Sequence, residues 1–524
     1  MKRICAMMLC MMFMIMAALP LSAECADADR TADAALNHYD MDISLDMASG
    51  SLHEKIRLRL TNTSDDAWHS ICLRDFMDSV LAVDDERSGM GVVELDEDGS
   101  VAYQGPTAPP DRKHIAGSSG IRSARCAGQE LNVRTDGADP SIVTVELDRP
   151  LAPGASTVLE LEYEADVPMG SYRCARTTLC GDMEHATYEL AQFYPMLCVY
   201  EDGAWSHEPY IVDGECMYTE CADYDIRMEV PERFTVVASG DERRIDSANG
   251  MSVWQISARS MRDVTIIVSD EMQVISGKAD GVDINCCYCA CEDVSGASRL
   301  QGELSLKAAQ DSVIEFSARY GRYPYGELDV VESSYEFGGM EAPGLVRISQ
   351  MYSWSLEDED EATRKYYTNG LASTVAHEIA HEWFYALVGN DQYGEAWLDE
   401  SFAAFSEQVY WRAQGRSEEE ILSALNEKAG DLDIADVTVD RSYAQLNGGN
   451  SFDYKRAVYG RGALMLYELE QAMGQDAFYD FVREYCARYA FGIADTQGFL
   501  ECLSGRIEGN RDAMSVLERY ISAA

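Results

Sequence analysis

The sequence predicts a multidomain protein, with an N-terminal antiparallel all-β domain followed by an α+β domain. Its 524 residues are enough for two to four domains and an ample core. Over residues 36–271 apolar and polar side chains alternate with a period of two, which is typical of half-buried strands. After residue 274 the apolar residues recur at a helical spacing instead. These two patterns predict a first domain over 29–274 and a second domain over 275–524.

Strands of the first domain are expected where the alternation is clearest. Gly, Pro, Asn and Asp lie between the runs, as they do in the turns of antiparallel sheets. Residues 84–138 are instead highly charged and contain a turn-forming segment with three prolines, so they predict a long loop insertion. The alternating runs are 39–45, 56–60, 158–163, 224–230 and 264–268.

Helices of the second domain are expected from apolar residues at i, i+3 and i+4. The first of them ends at Gly321, because glycine is a helix stop signal. Ser417 and Glu420 form a capping box, which predicts a helix start at that point. The helical runs are 299–320, 371–388, 396–410, 417–429, 456–473 and 476–489, with a further run at the C-terminal end.

The N-terminus has the layout of a secretory signal peptide. Two basic residues precede an apolar run over 4–19, and small residues follow it. The run is too short for a membrane span, so we expect a signal peptide over 1–28, cleaved after Ala23 or Ala28. An uncleaved N-terminal anchor is the alternative. No later stretch is apolar enough to cross a bilayer, so a secreted or extracytoplasmic protein without an integral membrane span is expected.

The net charge excludes two classes of partner. The formal charge is −49, from 91 acidic and 42 basic residues spread along the chain. Such a surface repels the phosphates of nucleic acids and anionic membranes. We therefore expect no nucleic acid among the partners.

The cysteine count is compatible with export. Of sixteen cysteines, Cys5 and Cys10 lie in the apolar run of the predicted signal peptide, and the other fourteen can form disulfides outside the cell. Local pairs such as Cys174 with Cys180 and Cys216 with Cys221 are candidates, although sequence does not give the connectivity. The run 286–291 contains four further cysteines. It is either a strand with buried or oxidised thiols or a soft-metal site, and the lack of an accompanying histidine favours the strand.

The chemistry is concentrated in a His-Glu-x-x-His motif. His377 and His381 are four residues apart, so a helix presents both on one face, where they can share a metal ion. Glu378 lies between them and can reach a metal-bound water. Glu400, separated from His381 by eighteen residues, starts a second helical run and supplies a third ligand. Three such ligands with one open position are typical of a catalytic zinc. Asp399 is either a partner of an imidazole or a solvent-facing residue.

A glycine-rich segment precedes the motif. Gly338, Gly339, Met340 and Glu341 lie between two strand-like runs, which predicts a turn or an edge strand. A substrate backbone can pair with a glycine-rich edge strand, and a carboxylate there can hold an ammonium group.

Taken together, these segments resemble the gluzincin zinc aminopeptidases of the aminopeptidase N and leukotriene hydrolase type. The resemblance rests on 338–342, on the His-Glu-x-x-His and Glu set, and on 459–464, which resembles the segment of the catalytic tyrosine. It implies that 275–524 is a thermolysin-like zinc peptidase domain holding one zinc ion per chain. The chain ends soon after Tyr459, so the large C-terminal helical domain of longer relatives is expected to be absent.

The resemblance also implies roles for single residues. His377, His381 and Glu400 are the implied zinc ligands, Glu378 the general base and Tyr459 the phenol that stabilises the oxyanion. Substrate binding is implied for Gly338, Gly339, Met340 and Glu341, with Glu341 holding the free amine of the substrate. Ala342 departs from the pattern, because the family usually has asparagine there.

The function expected from this resemblance is that of a secreted zinc aminopeptidase acting on the N-termini of peptides. Two alternatives remain open. The missing amide at Ala342 is compatible with an endopeptidase or a hydrolase of another small substrate. The second alternative is a protein without enzymatic activity, either a metal-binding protein or an ancient metal site that has lost its activity. The retained Glu378 argues against this second alternative.

Overall fold

The computed structural model describes residues 36–522 apart from 82–91, 96–100, 106–117, 138, 171–172, 180–184, 209, 212–213, 215, 292–294, 335–337, 357–359, 431–436 and 447–450. The predicted signal peptide over 1–28 and Cys180 lie outside the described residues. The pairing of Cys216 with Cys221 stays a prediction; both residues are buried. Among the described residues, no helix is both long and apolar enough to cross a membrane.

The N-terminal half consists mainly of strands, as predicted. Besides one short helix, α1 (Phe76–Leu81), its elements are β1 (Asn37–Leu45), β2 (Ser51–Thr61), β3 (Trp68–Arg74), β4 (Val92–Leu95), β5 (Val101–Gly105), β6 (Ser119–Cys126), β7 (Gln129–Glu130), β8 (Val133–Thr135), β9 (Ile142–Leu151), β10 (Ser156–Asp166), β11 (Cys174–Thr177), β12 (Thr187–Leu190), β13 (Met196–Leu197), β14 (Tyr200–Glu201), β15 (Ala204–Trp205), β16 (Ala222–Pro231), β17 (Thr235–Ala238), β18 (Asp241–Ala248), β19 (Met251–Met261) and β20 (Ile266–Ser269).

These strands form one large sheet and several small ones. The large sheet has the order β18-β19-β16-β1-β2-β10-β6-β7, and two four-stranded sheets have the orders β11-β12-β20-β17 and β13-β3-β9-β8. All neighbours in the large sheet are antiparallel except β1 and β16, which are parallel. Alternate residues of β1 and β2 are buried, which is the period of two read from the sequence. The β-rich fold predicted for this half is therefore confirmed.

The interval predicted as a loop insertion is not a simple loop. Its described residues include β4 to β8; β6 pairs with β10 in the large sheet and β8 pairs with β9. The residues of β6 are mostly half-buried, because β6 lies close to the sheet edge, so they lack the alternation that reveals a strand. For these residues the loop prediction is wrong.

The C-terminal half starts with a five-stranded mixed sheet and continues mainly as helices. The sheet contains β21 (Met272–Ala279), β22 (Val282–Cys289), β23 (Glu327–Ser333), β24 (Gly339–Met340) and β25 (Leu345–Ser349), in the order β21-β22-β23-β25-β24. The predicted domain boundary after residue 274 falls inside β21; it stays a prediction. The glycine-rich segment forms β24, an edge strand. The sequence predicts either a turn or an edge strand for this segment.

The helices complete an α+β region, and each predicted run except 371–388 lies close to observed helical residues. A capping box opens α7, with both hydrogen bonds between Ser417 and Glu420 formed. The helices are α2 (Ser295–Tyr320), α3 (Met351–Leu356), α4 (Glu361–Ala380), α5 (Gln392–Glu395), α6 (Trp397–Ala413), α7 (Glu418–Ala429), α8 (Tyr443–Leu446), α9 (Ser451–Lys455), α10 (Gly462–Met473), α11 (Gln475–Arg488), α12 (Thr496–Ile507) and α13 (Arg511–Tyr520), with a π-helical segment (Arg456–Arg461) between α9 and α10.

The cysteine-rich run 286–291 lies on and just after β22. Cys286 packs in the core of the helical region, whereas Cys287 packs with Val237 and Leu345 on the other face of the sheet. Because consecutive strand residues point to opposite faces, these two thiols do not converge on one metal ion. The strand interpretation holds for this pair.

The helix with the histidine motif begins and ends earlier than the sequence predicts. Apolar spacing predicts a helix to residue 388, whereas α4 ends at Ala380. His381 Nδ1 lies 3.0 Å from the carbonyl oxygen of Phe384, and Tyr385 has a φ of 141°, so the backbone turns back on the motif. The apolar residues that follow are buried in these turns, and the helical spacing therefore continues without a helix.

Candidate metal centre

The position of α4 determines where the two histidines of the site lie. Asp360 caps the helix by accepting a hydrogen bond of 2.8 Å from the backbone N–H of Thr363. Leu371, Val375 and Ile379 are fully buried on the face that packs into the core. This packing fixes the rotation of the helix and turns the histidines toward α6.

Three ligand atoms converge between α4 and α6. His377 Nε2 lies 3.2 Å from Glu400 Oε2 and 3.3 Å from His381 Nε2. His381 Nε2 lies 3.5 Å from the same oxygen of Glu400. Glu400 is in the first turn of α6, where the sequence places it. The three residues predicted as ligands are therefore brought together.

This arrangement fits a zinc ion. Two imidazole nitrogens and one carboxylate oxygen form a donor set found in catalytic zinc sites. Ligands about 2.0–2.1 Å from a tetrahedral ion stand about 3.3–3.4 Å from one another. The measured separations of 3.2, 3.3 and 3.5 Å match that spacing.

Each imidazole is oriented through its other nitrogen. Nδ1 of His377 lies 3.0 Å from Oε1 of Glu407, and Nδ1 of His381 lies 3.0 Å from the carbonyl oxygen of Phe384. A proton on Nδ1 donates to these acceptors and leaves Nε2 free to bind metal. Lys428 Nζ donates to the same Glu407 oxygen over 2.6 Å.

Sequence reasoning missed Glu407 and Lys428. A signal for Glu407 existed, since it follows Glu400 by seven residues, about two helical turns, and so lies on the same face of α6. Lys428 comes from α7 and has no comparable local signal. For Asp399, the solvent-facing interpretation is wrong: it is fully buried and accepts hydrogen bonds from Gln392 and from the backbone N–H of Glu400.

The charges of the site are strongly coupled. Burial lowers the pKa of His377, but hydrogen bonds to Glu400 and Glu407 outweigh burial and raise it to about 9. Burial raises the pKa of Glu400, yet the two imidazoles hold it well below its usual range. Without metal, the imidazoles of the site therefore hold protons at the place where a metal cation would bind. A zinc ion has to displace them.

Glu378 lies beside the ligands and is held against β24. It is buried, and oxygens of Glu378, Glu341 and a nitrogen of His381 lie within 4.8 Å of one another. A Cβ on Gly339 would stand 2.5 Å from Glu378 Oε1, closer than any side chain can come. Glycine at 339 thus lets β24 approach the carboxylate.

The other residues of the glycine-rich segment line the same cavity, which has a volume of about 730 Å³. Gly338, Gly339 and Glu341 are half-buried, so a ligand can reach them, and Met340 is buried with its sulfur 3.7 Å from Arg173 Nη1. Arg173 comes from the β-rich half and was not predicted. Ala342 is buried next to Glu341.

Tyr459 reaches the ligands from the opposite side. Its hydroxyl donates to Glu400 Oε1 over 2.5 Å, and its ring stacks on His377 with 5.9 Å between the centroids. Tyr459 lies on the π-helical segment, whose wider turn is a common feature of functional sites. Directly after this segment, α10 packs tightly on α6 because its first residue, Gly462, has no side chain to collide with Ser401.

Comparison with known proteins shows what the region around this site is similar to. Residues 305–520, which include every site residue predicted above, match the model of the peptidase family M1 domain. The region 305–520 is thus similar to the M1 peptidase domain, and the match covers 216 of the 524 residues. Its helices α4 and α6 hold the motif described above.

Relatives and solved structures agree with this assignment. Aminopeptidase N of Streptomyces lividans is 28% identical over 214 residues, which cover 37% of this chain and 23% of that protein. Aminopeptidase N of Lactococcus lactis is 26% identical over 290 residues, which cover 52% of this chain and 32% of that protein. The chain thus spans a third or less of the length of these relatives.

The fold extends beyond the M1 domain. An M1 zinc metallopeptidase from Deinococcus radiodurans matches with a TM-score of 0.63 and 16% identity, over 92% of this chain and 93% of that chain. A mutant from the same organism, bound to a Tyr-Ser-Ala substrate, matches with a TM-score of 0.62 and 17% identity, over 92% of this chain and 94% of that chain. The β-rich half and the helical half therefore share the arrangement seen in those structures.

Proposed function

We propose that the protein is a secreted zinc aminopeptidase that removes N-terminal residues from peptides. The observation that carries the proposal is the convergence of His377, His381 and Glu400 at zinc spacing beside two further carboxylates, Glu378 and Glu341. A hydrolytic metal site needs one carboxylate to move protons. The second is then available for the ammonium group of the substrate.

The metal would be held by His377, His381 and Glu400, one ion per chain. When bound, a zinc ion in such a site lowers the pKa of a water ligand and polarises the scissile carbonyl. Glu378 accepts the proton that the attacking water loses, because its carboxylate lies next to the ligands. The same carboxylate then returns the proton to the leaving amine.

Tyr459 and Glu341 act on the substrate. The phenol of Tyr459 already donates a hydrogen bond beside the ligands, and it donates instead to the oxyanion as the carbonyl becomes tetrahedral. Glu341 pairs with the free ammonium group of the peptide and so sets the first peptide bond over the metal. Gly338, Gly339 and Met340 form the edge strand along which the substrate backbone lies.

Peptide substrates and export are parts of the same proposal. A solved M1 zinc metallopeptidase with this fold is described as bound to a Tyr-Ser-Ala substrate, and the related proteins are named aminopeptidases. Export rests on the signal-peptide pattern over 1–28.

The test compares free and blocked substrates. An N-acetylated peptide cannot pair with Glu341 and leaves its carboxylate without a cation, which costs on the order of 2 kcal/mol, or about 30-fold in kcat/KM. Aminoacyl fluorogenic substrates should be hydrolysed at least that much faster than their acetylated forms. Glu341→Gln should abolish the preference while zinc content stays constant. Glu361→Gln, at an exposed position of the same region, is the matched control and should leave the preference intact.

Equal hydrolysis of free and acetylated peptides by the wild-type protein would reject the aminopeptidase proposal. It would leave the endopeptidase alternative, which predicts cleavage within longer blocked peptides. Retention of the preference in Glu341→Gln would reject the role of Glu341 alone.

A further inference from the structure

A second group of three ligand residues lies far from the candidate zinc centre in sequence and has a different composition. Oxygens of Glu242, Glu327 and Asp329 lie within 4.8 Å of one another. Glu242 belongs to β18, the edge strand of the large N-terminal sheet, whereas Glu327 and Asp329 belong to β23 in the sheet of the C-terminal half. We call these three residues the acidic triad. It joins the two halves of the molecule.

The strand geometry brings the triad together. Glu327 and Asp329 are two residues apart on β23, so both side chains point to the same face of the sheet. Asn285 of β22 lies opposite Asp329 in the ladder and donates a hydrogen bond of 3.1 Å to its Oδ1. The two halves are in contact here: a Cβ on Gly344 would lie 3.7 Å from the backbone nitrogen of Gly240, an ordinary van der Waals distance.

The triad is costly in the absence of a cation. Asp329 is only 1% exposed, and its Oδ2 is buried without a hydrogen-bond partner. Oε2 of Glu242 is likewise buried without a partner. Within the described part of the chain, none of the three carboxylates takes part in an ion pair with Lys, Arg or His. Buried carboxylate oxygens without partners are rare, because such an oxygen loses its hydration without a replacement.

A hard divalent cation removes this cost. Calcium takes six to eight oxygen ligands at about 2.3–2.6 Å, so two oxygens on one ion stand at most about 5 Å apart. The triad meets that limit with no movement of the backbone. Zinc fits the triad less well than calcium does, because zinc prefers nitrogen and sulfur donors. Magnesium also fits less well, because it requires a tighter octahedron and keeps most of its water. Waters supply the remaining calcium ligands at the two half-buried glutamates.

We propose that Glu242, Glu327 and Asp329 form a calcium-binding site that ties the N-terminal β-rich half to the M1 domain. The site lies at one end of β23, next to β25, which in turn pairs with the glycine-rich strand β24. Binding of calcium therefore stabilises the sheet that carries the cavity wall. The proposal is independent of the peptidase activity proposed above.

Proton sharing among the carboxylates is the competing explanation. Without a cation, burial and the neighbouring Glu327 raise the pKa of Glu242 to about 8, and burial raises the pKa of Asp329 well above its usual range. In that case the triad holds protons rather than a metal ion, and calcium has no effect on it.

The experiment uses the full chain loaded with one equivalent of zinc in buffer passed over a chelating resin, with no soluble chelator added. Calcium is titrated to 10 mM, and bound calcium and zinc are counted by equilibrium dialysis and elemental analysis. We expect one calcium per chain with half-saturation at about 10⁻⁵–10⁻³ M. The thermal midpoint Tm should rise by at least about 2 °C at saturation, with zinc content unchanged.

Three variants decide between the explanations. Asp329→Asn and Glu242→Gln keep the shape of the side chains but lose a charge, so both should lose at least about tenfold in calcium affinity. Asp246→Asn, at an exposed position of the same strand β18, is the matched control and should bind as the wild type does. Glu242→Gln is the milder change and keeps the test open if Asp329→Asn does not fold.

Two results would overturn the proposal. One is a wild-type protein that binds no calcium at 10 mM and shows no shift in Tm. The other is unchanged calcium binding in a folded triad variant. If calcium has no effect while Asp329→Asn raises Tm, the triad shares protons instead.

Discussion

The candidate zinc centre and the acidic triad are both groups of three ligand residues, but they are built in opposite ways. At the zinc centre, His377 lies in the last turn of α4, His381 caps that helix and Glu400 comes from α6, and the three atoms stand 3.2–3.5 Å apart. In the triad, two residues come from one strand and one from another sheet, and one oxygen of each lies within 4.8 Å of the others. Two imidazoles and one carboxylate suit zinc, whereas three carboxylates suit a hard cation that takes six to eight oxygen ligands.

Hydrogen bonding distinguishes the two groups further. Both imidazoles of the zinc centre have an acceptor on Nδ1, and Tyr459 donates to Glu400. In the triad, by contrast, Asp329 and Glu242 each keep a buried oxygen without a partner. The first group is thus held in place by its surroundings before metal arrives, while the second depends on the ion for its own stability.

The largest effect should separate metal binding from proton transfer within the zinc centre. His381→Ala removes a ligand, so we expect both zinc content and activity to be lost.

Glu378→Gln keeps the ligands but cannot accept a proton, so zinc should stay near one per chain while kcat falls by about 10² or more. Tyr459→Phe should also retain zinc and lose about 10² in kcat. Elemental analysis measures the zinc content of each variant, and hydrolysis of aminoacyl substrates measures its activity. Full activity in any one variant would contradict the role assigned to the residue that it replaces.

A smaller effect is expected from the residue that orients His377. Glu407→Gln keeps the hydrogen-bond acceptor but removes the charge, so zinc affinity should fall by about 10- to 100-fold. Competition with a zinc-binding dye measures this directly, and saturating zinc should restore most of the activity. Glu427→Gln, on the exposed side of α7 next to Lys428, controls for the change in net charge. Equal zinc affinity in Glu407→Gln and wild type would show that Glu407 has no positioning role.

What sequence predicts well in this molecule is local. His377, Glu378 and His381 lie within one turn, and the ligand Glu400 lies in the next regular element but one, so spacing alone brings them together. The edge strand β24 follows from glycines between two apolar runs. These predictions succeed because few residues separate the groups whose contact matters.

What sequence does not predict depends on distant contacts. The end of α4 is set by turns that direct Phe384 back to His381, although the apolar spacing continues. The strand β6 is visible only from its pairing with β10. Glu242 meets Glu327 and Asp329 across a junction between two sheets, and a strongly acidic chain offers many equivalent carboxylates from which sequence cannot choose these three.

The smallest expected effect is a pH dependence of stability at the triad. Glu242 faces Glu327 and Asp329 of β23 and adjoins Asp241 on its own strand, and in calcium-free protein its pKa is raised to about 8 by burial and by Glu327. Because the folded state then binds more protons than the unfolded state between about pH 4.5 and pH 8, this group lowers the free energy of unfolding as pH rises through that window. Stability is greatest on the acid side.

The measurement is the difference in Tm between wild type and Glu242→Gln from pH 5 to pH 8, because the histidines of the zinc centre contribute equally to both proteins. Without calcium, the wild type should lose a few degrees relative to Glu242→Gln as pH rises. With saturating calcium the difference should reverse at pH 8, since the ion requires the ionised carboxylate and stabilises it. Asp246→Asn should show no such trend. A Tm difference that does not change with pH would mean that the pKa of Glu242 is not raised in the folded protein. The zinc centre and the acidic triad would then differ only in their donor atoms.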